Sequence, residues 1–161
     1  MSTTHDELAG VVDLFGALRR AELTAALDEL AFKRGQDVDE SALRAAIKRA
    51  VDAYALVEYE PADSSGGDDR LIAVGPTAFP TLPPNAEDLP HILDFDRRTV
   101  DRERLAEQVR QRLTSEAGAA VDADNAELAA ELLDVSYDIE TWATVDAGPV
   151  RDRLEPVLQH N

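Results

Sequence analysis

Apolar residues in the first third of the chain recur three and four positions apart, which is the spacing of one buried helix face. Three successive segments show this spacing, at residues 8–15, 23–32 and 43–54. The first segment is preceded by Thr4 and Glu7, the residue pair of an N-terminal capping box. The pattern therefore predicts three consecutive helices, the first of which begins at Thr4.

The ends of these helices carry their own signals. Gly16 and Gly35 follow the first two segments, where glycine commonly ends a helix. Asp39 can cap the third helix, and Val38 can pack on Leu43 as a hydrophobic staple. The buried stripe predicted for this third helix consists of Leu43, Ile47, Ala50, Val51 and Tyr54.

After Tyr54 the period of the pattern changes. Residues 56–60 alternate between apolar and polar side chains, and residues 70–74 form a second short apolar run. The polar residues 61–69 between them include Gly66 and Gly67, which suit a flexible loop. Together these segments predict a β-hairpin with a long tip.

Prolines are frequent from Gly75 to Asp96, so regular structure is not expected there. The segment is nevertheless too apolar for a free linker. We expect an irregular connector at residues 77–98 that packs across the N-terminal unit. Its apolar residues are Phe79, Leu82, Leu89, Ile92, Leu93 and Phe95.

Helical spacing returns in the last third of the chain. It predicts helices from about residue 101 to 119, after Asp124, and around residues 150–158, the last strained by Pro156. Trp142 is expected to anchor the bend after the second of these. The predicted fold is α+β and predominantly α. Residues 1–76 form one unit with three helices and a hairpin, and residues 99–161 form a helical subdomain.

Charge is the strongest compositional signal. The chain has 33 acidic and 16 basic residues, a formal net charge of −17, and Lys33 and Lys48 as its only lysines. Such an acidic surface is typical of proteins from a cytoplasm that holds molar salt. There the Debye length falls to about 3 Å and carboxylates repel one another only weakly. We therefore expect a salt-adapted protein.

Other compositional features narrow the function classes. The absence of cysteine excludes disulfides, thiolate nucleophiles and cysteine zinc sites. Residues 1–10 do not resemble a signal peptide, and no run of about eighteen uncharged apolar residues is present, so we expect a cytoplasmic protein without a membrane partner.

Candidate catalytic residues are sparse. The histidines are His5, His91 and His160, and none has a histidine or cysteine partner at metal-ligand spacing. His91 and Asp94 could form a base and its orienting carboxylate, but no serine stands in a nucleophile motif. The sequence predicts no metal, no cofactor and no enzymatic activity; a composite active site from residues distant in sequence is the remote alternative.

A candidate binding surface lies on the third helix. Residues 16–50 carry seven basic and six acidic side chains, and both lysines lie within this segment of a strongly acidic chain. At 100° per residue, Ser41, Lys48 and Arg49 fall opposite the buried stripe, with Arg44 at the edge of that face. These four residues are the predicted site for nucleic acid or a protein partner.

The order helix, helix, helix, hairpin resembles a winged helix-turn-helix over residues 4–76. In such a fold the third helix is offered to the DNA major groove. The whole chain also resembles an uncharacterised family from halophilic archaea, in the segments DLFGAL at 13–18, AFKRG at 31–35 and LPHILD at 89–94. That resemblance implies lineage and cytoplasmic location and no particular function.

Two binding functions remain open from the sequence. One is a regulatory or scaffolding module that binds a protein through the third-helix surface. The other is a winged-helix regulator that binds DNA. The predicted hairpin tip carries Asp63, Asp68 and Asp69, which would repel phosphate, so the sequence favours the protein partner.

Overall fold

The computed structural model describes residues 4–33, 35, 39–62, 70–84, 86–95 and 97–159. Within these ranges the chain forms seven α-helices and one two-stranded antiparallel sheet, which confirms the predicted α+β, mainly α class. The chain divides into two compact units, of which the first ends at Val100 and the second begins at Asp101. No helix in the described ranges is both long enough and apolar enough to cross a bilayer.

Three helices build most of the first unit: α1 (His5–Phe15), α2 (Arg20–Lys33) and α3 (Glu40–Asp52). The capping box predicted at Thr4 is present, because its hydroxyl accepts from the Glu7 amide and its amide donates to the Glu7 carboxylate. Asp39 caps α3 by accepting from the Ser41 amide, as predicted. Val38, the proposed staple residue, lies outside the described residues.

The buried stripe predicted for the third helix is confirmed, with one difference in secondary structure. Leu43, Ile47, Ala50 and Val51 are buried on α3. Tyr54 is also buried, but the helix has ended at Asp52, and Tyr54 adopts a left-handed backbone with φ of 65°. The aromatic ring thus reaches the core from the turn that leads into the hairpin.

The predicted hairpin forms from β1 (Leu56–Tyr59) and β2 (Leu71–Val74), paired antiparallel with Leu56 opposite Val74. One further extended residue, outside the two strands, pairs with this hairpin. Leu18, between α1 and α2, forms an antiparallel bridge with Ile72, with N–O distances of 3.0 and 2.6 Å. The sheet therefore connects the start of α2 to the hairpin.

The connector is more regular than expected and less buried. A 3₁₀ turn at Ala86–Asp88 leads into α4 (Leu89–Ile92), so the expectation of no regular structure was wrong there. Its apolar residues divide into two groups. Leu89 is buried and Leu93 and Phe95 pack against the core, whereas Phe79, Leu82 and Ile92 are exposed, against our expectation that they pack.

Backbone hydrogen bonds explain how the connector is held. The amides of Phe79 and Thr81 donate to the carboxylate and the carbonyl of Asp6, at 3.0 and 2.9 Å. Gly10 of α1 faces the backbone of Thr81 so closely that a Cβ would collide with its carbonyl. These backbone contacts fix the path of the connector beside α1. Burial of the Phe79 ring is therefore not needed to hold the connector in place.

The second unit consists of α5 (Arg102–Asp122), α6 (Ala126–Trp142) and α7 (Gly148–Gln159). Asp101 and Asn125 cap α5 and α6 by accepting from backbone amides in the first turn. Pro156 lies inside α7, as the sequence predicted. Trp142 is the last residue of α6, partly buried, with the Arg102 guanidinium 5.3 Å from its ring centroid.

Candidate functional site

A groove of about 830 Å³ lies between α2 and α3. Residues from both helices line it, at positions spaced three and four apart along each helix. The α2 wall consists of Arg20, Ala21, Thr24, Ala25 and Asp28, and the α3 wall of Glu40, Leu43, Arg44, Ile47 and Lys48.

Small side chains make one wall and apolar ones form the base. Ala21 and Ala25 are exposed on α2, because the leucines of that helix are on the opposite face in the core. Leu43 and Ile47 of α3 are only 8% and 2% exposed, so they form the bottom of the groove. The short alanines leave room for another backbone to approach α2 closely.

The charged residues of the α3 wall are paired along their own helix. Arg44 donates to Glu40 at 2.7 Å, and Lys48 donates to Asp52 at 2.9 Å, each pair four residues apart. All four side chains are largely exposed. Exposed pairs of this kind contribute about 0.3–0.5 kcal/mol each, so a bound partner can exchange them at little cost.

Arg20, on the α2 wall, is held from the other side by the hairpin. Its guanidinium donates to Glu58 of β1 at 2.8 Å, and Arg70 donates to the second oxygen of Glu58 at 3.1 Å. Partial burial raises the pKa of Glu58, but the hydrogen bonds and charges of Arg20 and Arg70 outweigh it and hold that pKa below its ordinary value. Glu58 therefore stays ionised and fixes Arg20 beside the groove.

The four residues predicted from the sequence are all exposed on α3, but they do not face one site. Arg44 and Lys48 line the groove, whereas Ser41 and Arg49 lie on the outer face, outside its lining. Ala45 shares that outer face. The sequence reasoning missed the α2 wall, for which the available signal was Ala21, Thr24 and Ala25 at helical spacing opposite the leucines.

The titratable side chains considered for catalysis are dispersed. His91 and Asp94 are both exposed, on and just after α4, and His160 is outside the described residues. In the described part of the chain, no three His, Asp or Glu side chains converge in a way that could hold a metal ion. That the chain is not an enzyme stays a prediction from the sequence.

A polar cluster in the second unit has a structural explanation. Arg151 of α7 donates to Glu140 of α6 at 3.1 Å, and its guanidinium lies 4.5 Å from the ring centroid of Tyr137. Hydrogen bonds from Arg151 and from the Ala147 amide hold the pKa of Glu140 below its ordinary value. The cluster ties α6 to α7 and leaves the α2–α3 groove as the candidate site.

Comparison with known proteins gives one family match. No curated protein and no solved structure matches the chain significantly. Residues 6–159, which include both units, match a family described as a family of unknown function, DUF7109. Because the match covers nearly the whole chain, the protein belongs to the DUF7109 family.

Proposed function

We propose that the protein is a non-enzymatic binding module, regulatory or scaffolding, that holds a protein partner in the α2–α3 groove. One observation carries the proposal: two helices present a groove with a small-residue wall, an apolar base of Leu43 and Ile47, and charges of both signs at its edges. Grooves between helices that combine an apolar base with polar edges are typical receptors for helical segments.

The distribution of charge favours a protein over DNA. The lining contains three basic and two acidic side chains, and its Arg44 is already paired with Glu40. A DNA-binding surface gains its affinity by neutralising phosphates with unopposed cations. Asp28, Glu40 and Asp52 would each repel a phosphate, and the salt screening expected in a halophilic cytoplasm weakens long-range attraction further.

A DNA-binding regulator remains the second candidate because of the topology of the first unit. The order of three helices and a hairpin, with Leu18 bridged to the β2 strand, resembles that of a winged helix with its short additional strand. Its recognition surface would be the outer face of α3, where Arg49 is exposed and has no ion-pair partner among the described residues. The two candidates therefore use different faces of the same helix.

We also propose that this module works in a cytoplasm of high salt. Support comes from the net charge of −17 and from fourteen of the sixteen basic residues being arginine. A partner in that cytoplasm would have to be bound mainly by apolar contact, since electrostatic attraction is short-ranged there.

Two tryptophan substitutions test which face is used. Ala25→Trp fills the groove from the α2 wall, and Ala45→Trp adds the same bulk to the outer face of α3; both alanines are exposed. The tagged chain is cross-linked to its partners in the cells that express it, in molar salt. The cross-linked proteins are then quantified for the wild type and both variants. We expect one stoichiometric protein to be lost with Ala25→Trp and kept with Ala45→Trp.

The DNA candidate is measured alongside by fluorescence anisotropy on duplex DNA. Lys48→Glu with Arg49→Glu reverses one charge in the groove lining and one on the outer face, and Arg97→Glu with Arg153→Glu reverses two exposed charges elsewhere as a matched control. If the wild type binds duplex and only the first pair abolishes it, while Ala25→Trp retains every protein, the DNA candidate is correct and the groove proposal is wrong.

A further inference from the structure

The charges of the α2–α3 groove are ordered along its length. Arg20 lies at the N-terminal end of α2 and pairs with Glu58 of β1, the strand that starts shortly after α3 ends. The N-terminal end of α2 and the C-terminal end of α3, where Lys48 lies, are therefore both near the hairpin. We call this the hairpin end of the groove.

The acidic residues lie toward the other end. Asp28 is in the C-terminal half of α2, and Glu40 is the first residue of α3, so both lie toward the segment that connects the two helices. Arg44, one turn further along α3, lies between Glu40 and Lys48. The groove is thus acidic at its connection end and basic at its hairpin end.

The form of the partner follows from the two walls. Ala21 and Ala25 allow a backbone to approach α2, and Leu43 and Ile47 offer an apolar base to side chains that repeat every three to four residues. An amphipathic helix presents its apolar side chains at that spacing. Its charged flanks would then contact the ordered charges at the edges of the groove.

We propose that the partner is an amphipathic helix of polarised charge, with acidic side chains against Arg20, Arg44 and Lys48 and basic side chains against Asp28 and Glu40. This inference rests on the proposed function, and it specifies the partner of that same groove. In molar salt only charges in direct contact act strongly, so the apolar stripe supplies affinity while the order of charges selects the partner and its direction.

A displayed library of helical peptides tests the inference. Each peptide has the length of α2, 14 residues, a fixed apolar stripe, and Glu, Lys or Ala drawn at random at the flanking positions. Selection is made in molar salt on the wild type, and sequences that also bind the Ala25→Trp variant are discarded. Ala45→Trp is the matched control, which should retain the selected peptides. We expect the selected sequences to be acidic at one end and basic at the other.

A charge exchange supplies the second measurement. Asp28→Arg with Lys48→Glu alters the order of charges without altering the net charge, and both positions are exposed, so the fold should be kept. Peptides selected on the wild type should bind this variant about tenfold more weakly or worse, since each opposed contact becomes repulsive. A new selection on the variant should return sequences without the wild-type preference.

The outcomes separate this inference from the proposed function. One outcome is that the selected sequences require an open groove and yet are uniformly acidic or lack any order of charge. That result would overturn the proposal of a partner with polarised charge and leave the proposal of groove binding in place. If no sequence is enriched on the wild type relative to Ala25→Trp, both the partner and the groove proposal are wrong.

Discussion

At the scale of single residues, Arg98 forms hydrogen bonds with several elements of the first unit. Its guanidinium donates to both oxygens of Glu22, at 2.6 and 3.1 Å, and to the carbonyl of Ala17. Its backbone amide donates to Phe15, and its carbonyl lies against Gly16, where φ is 81° and any Cβ would collide. One residue therefore joins the connector to the end of α1 and the start of α2.

Replacing Arg98 by glutamine should destabilise the protein by about 1–3 kcal/mol, because Glu22 would keep its partly buried charge without a bidentate partner. The side chains of Arg98 and Glu22 are 23% and 18% exposed. Urea unfolding at constant molar NaCl measures the change. Arg97→Gln, at the exposed neighbouring position, should shift the free energy of unfolding by less than about 0.5 kcal/mol. Equal effects of the two variants would contradict the assigned role.

The same ion pair predicts a pH dependence. Burial raises the pKa of Glu22, but hydrogen bonds from Arg98 and from the Arg19 amide outweigh it, so the pKa in the folded protein is below the ordinary 4.5. A depressed folded pKa contributes stability above pH 4.5, which is lost as the pH falls through the folded value.

We therefore expect the wild type to be more stable than Glu22→Gln at neutral pH, with the difference shrinking once the pH falls below 4.5. Urea unfolding of both proteins between neutral pH and about pH 3 measures this difference, and subtraction removes the contribution of the shared carboxylates. A difference that stays constant over this range would show that ionisation of Glu22 does not stabilise the fold.

At the scale of elements, the sequence predicted those parts whose signals are local. The capping residues Thr4 and Asp39 and the stripe on α3 were correct because caps and apolar periods act within one or two turns. The hairpin was correct for the same reason, since alternation and a polar loop are both local.

The errors concern features that depend on tertiary contacts. Leu18 forms a single bridge to Ile72, and one extended residue leaves no alternation to detect. Phe79 was expected to pack, but Asp6 fixes the backbone there and the ring remains exposed. Short α4 contains Pro90 in its first turn, a position that tolerates proline, although the density of prolines had suggested irregular structure.

Part of the candidate site could be predicted from the sequence. Arg44 and Lys48 were identified because they belong to the one long segment that is not strongly acidic. Ala21 and Ala25 carried no comparable signal, since an exposed alanine on a helix is ordinary until a second helix is placed beside it. The groove is a property of two helices together, whereas periodicity describes each helix alone.

The α7 helix offers a prediction at this scale. Pro156 lies inside the helix, lacks an amide proton, and its ring crowds the carbonyl of Asp152. Leu154 and Val157 are buried and keep the helix in place despite that cost. Pro156→Ala should stabilise the protein by about 1–3 kcal/mol, measured by urea unfolding in molar NaCl. Glu155→Ala, at the exposed neighbouring position, is the control and should change little; a destabilised Pro156→Ala variant would contradict the argument.

At the scale of the whole molecule, carboxylates outnumber their available partners. With 33 acidic and 16 basic residues, about half of the acids have no cation to pair with one-to-one. On α6, Asp138 shows the consequence: burial and the charge of Asp134 both raise its pKa. Repulsion of this kind opposes the compact state wherever salt does not screen it.

The free energy of unfolding should therefore rise with salt. Below roughly 0.5 M NaCl we expect the melting temperature to fall and the fold to loosen, because the Debye length grows beyond about 3 Å and neighbouring carboxylates act on one another. Circular-dichroism melts from low to molar NaCl measure the melting temperature, with a neutral osmolyte at equal osmolality as the control for solvent exclusion.

Replacing Glu127, Glu131 and Asp134, all exposed on α6, by Gln, Gln and Asn should flatten the dependence of the melting temperature on salt. Equal or higher stability in low salt would show that the acidity of this chain does not adapt it to salt.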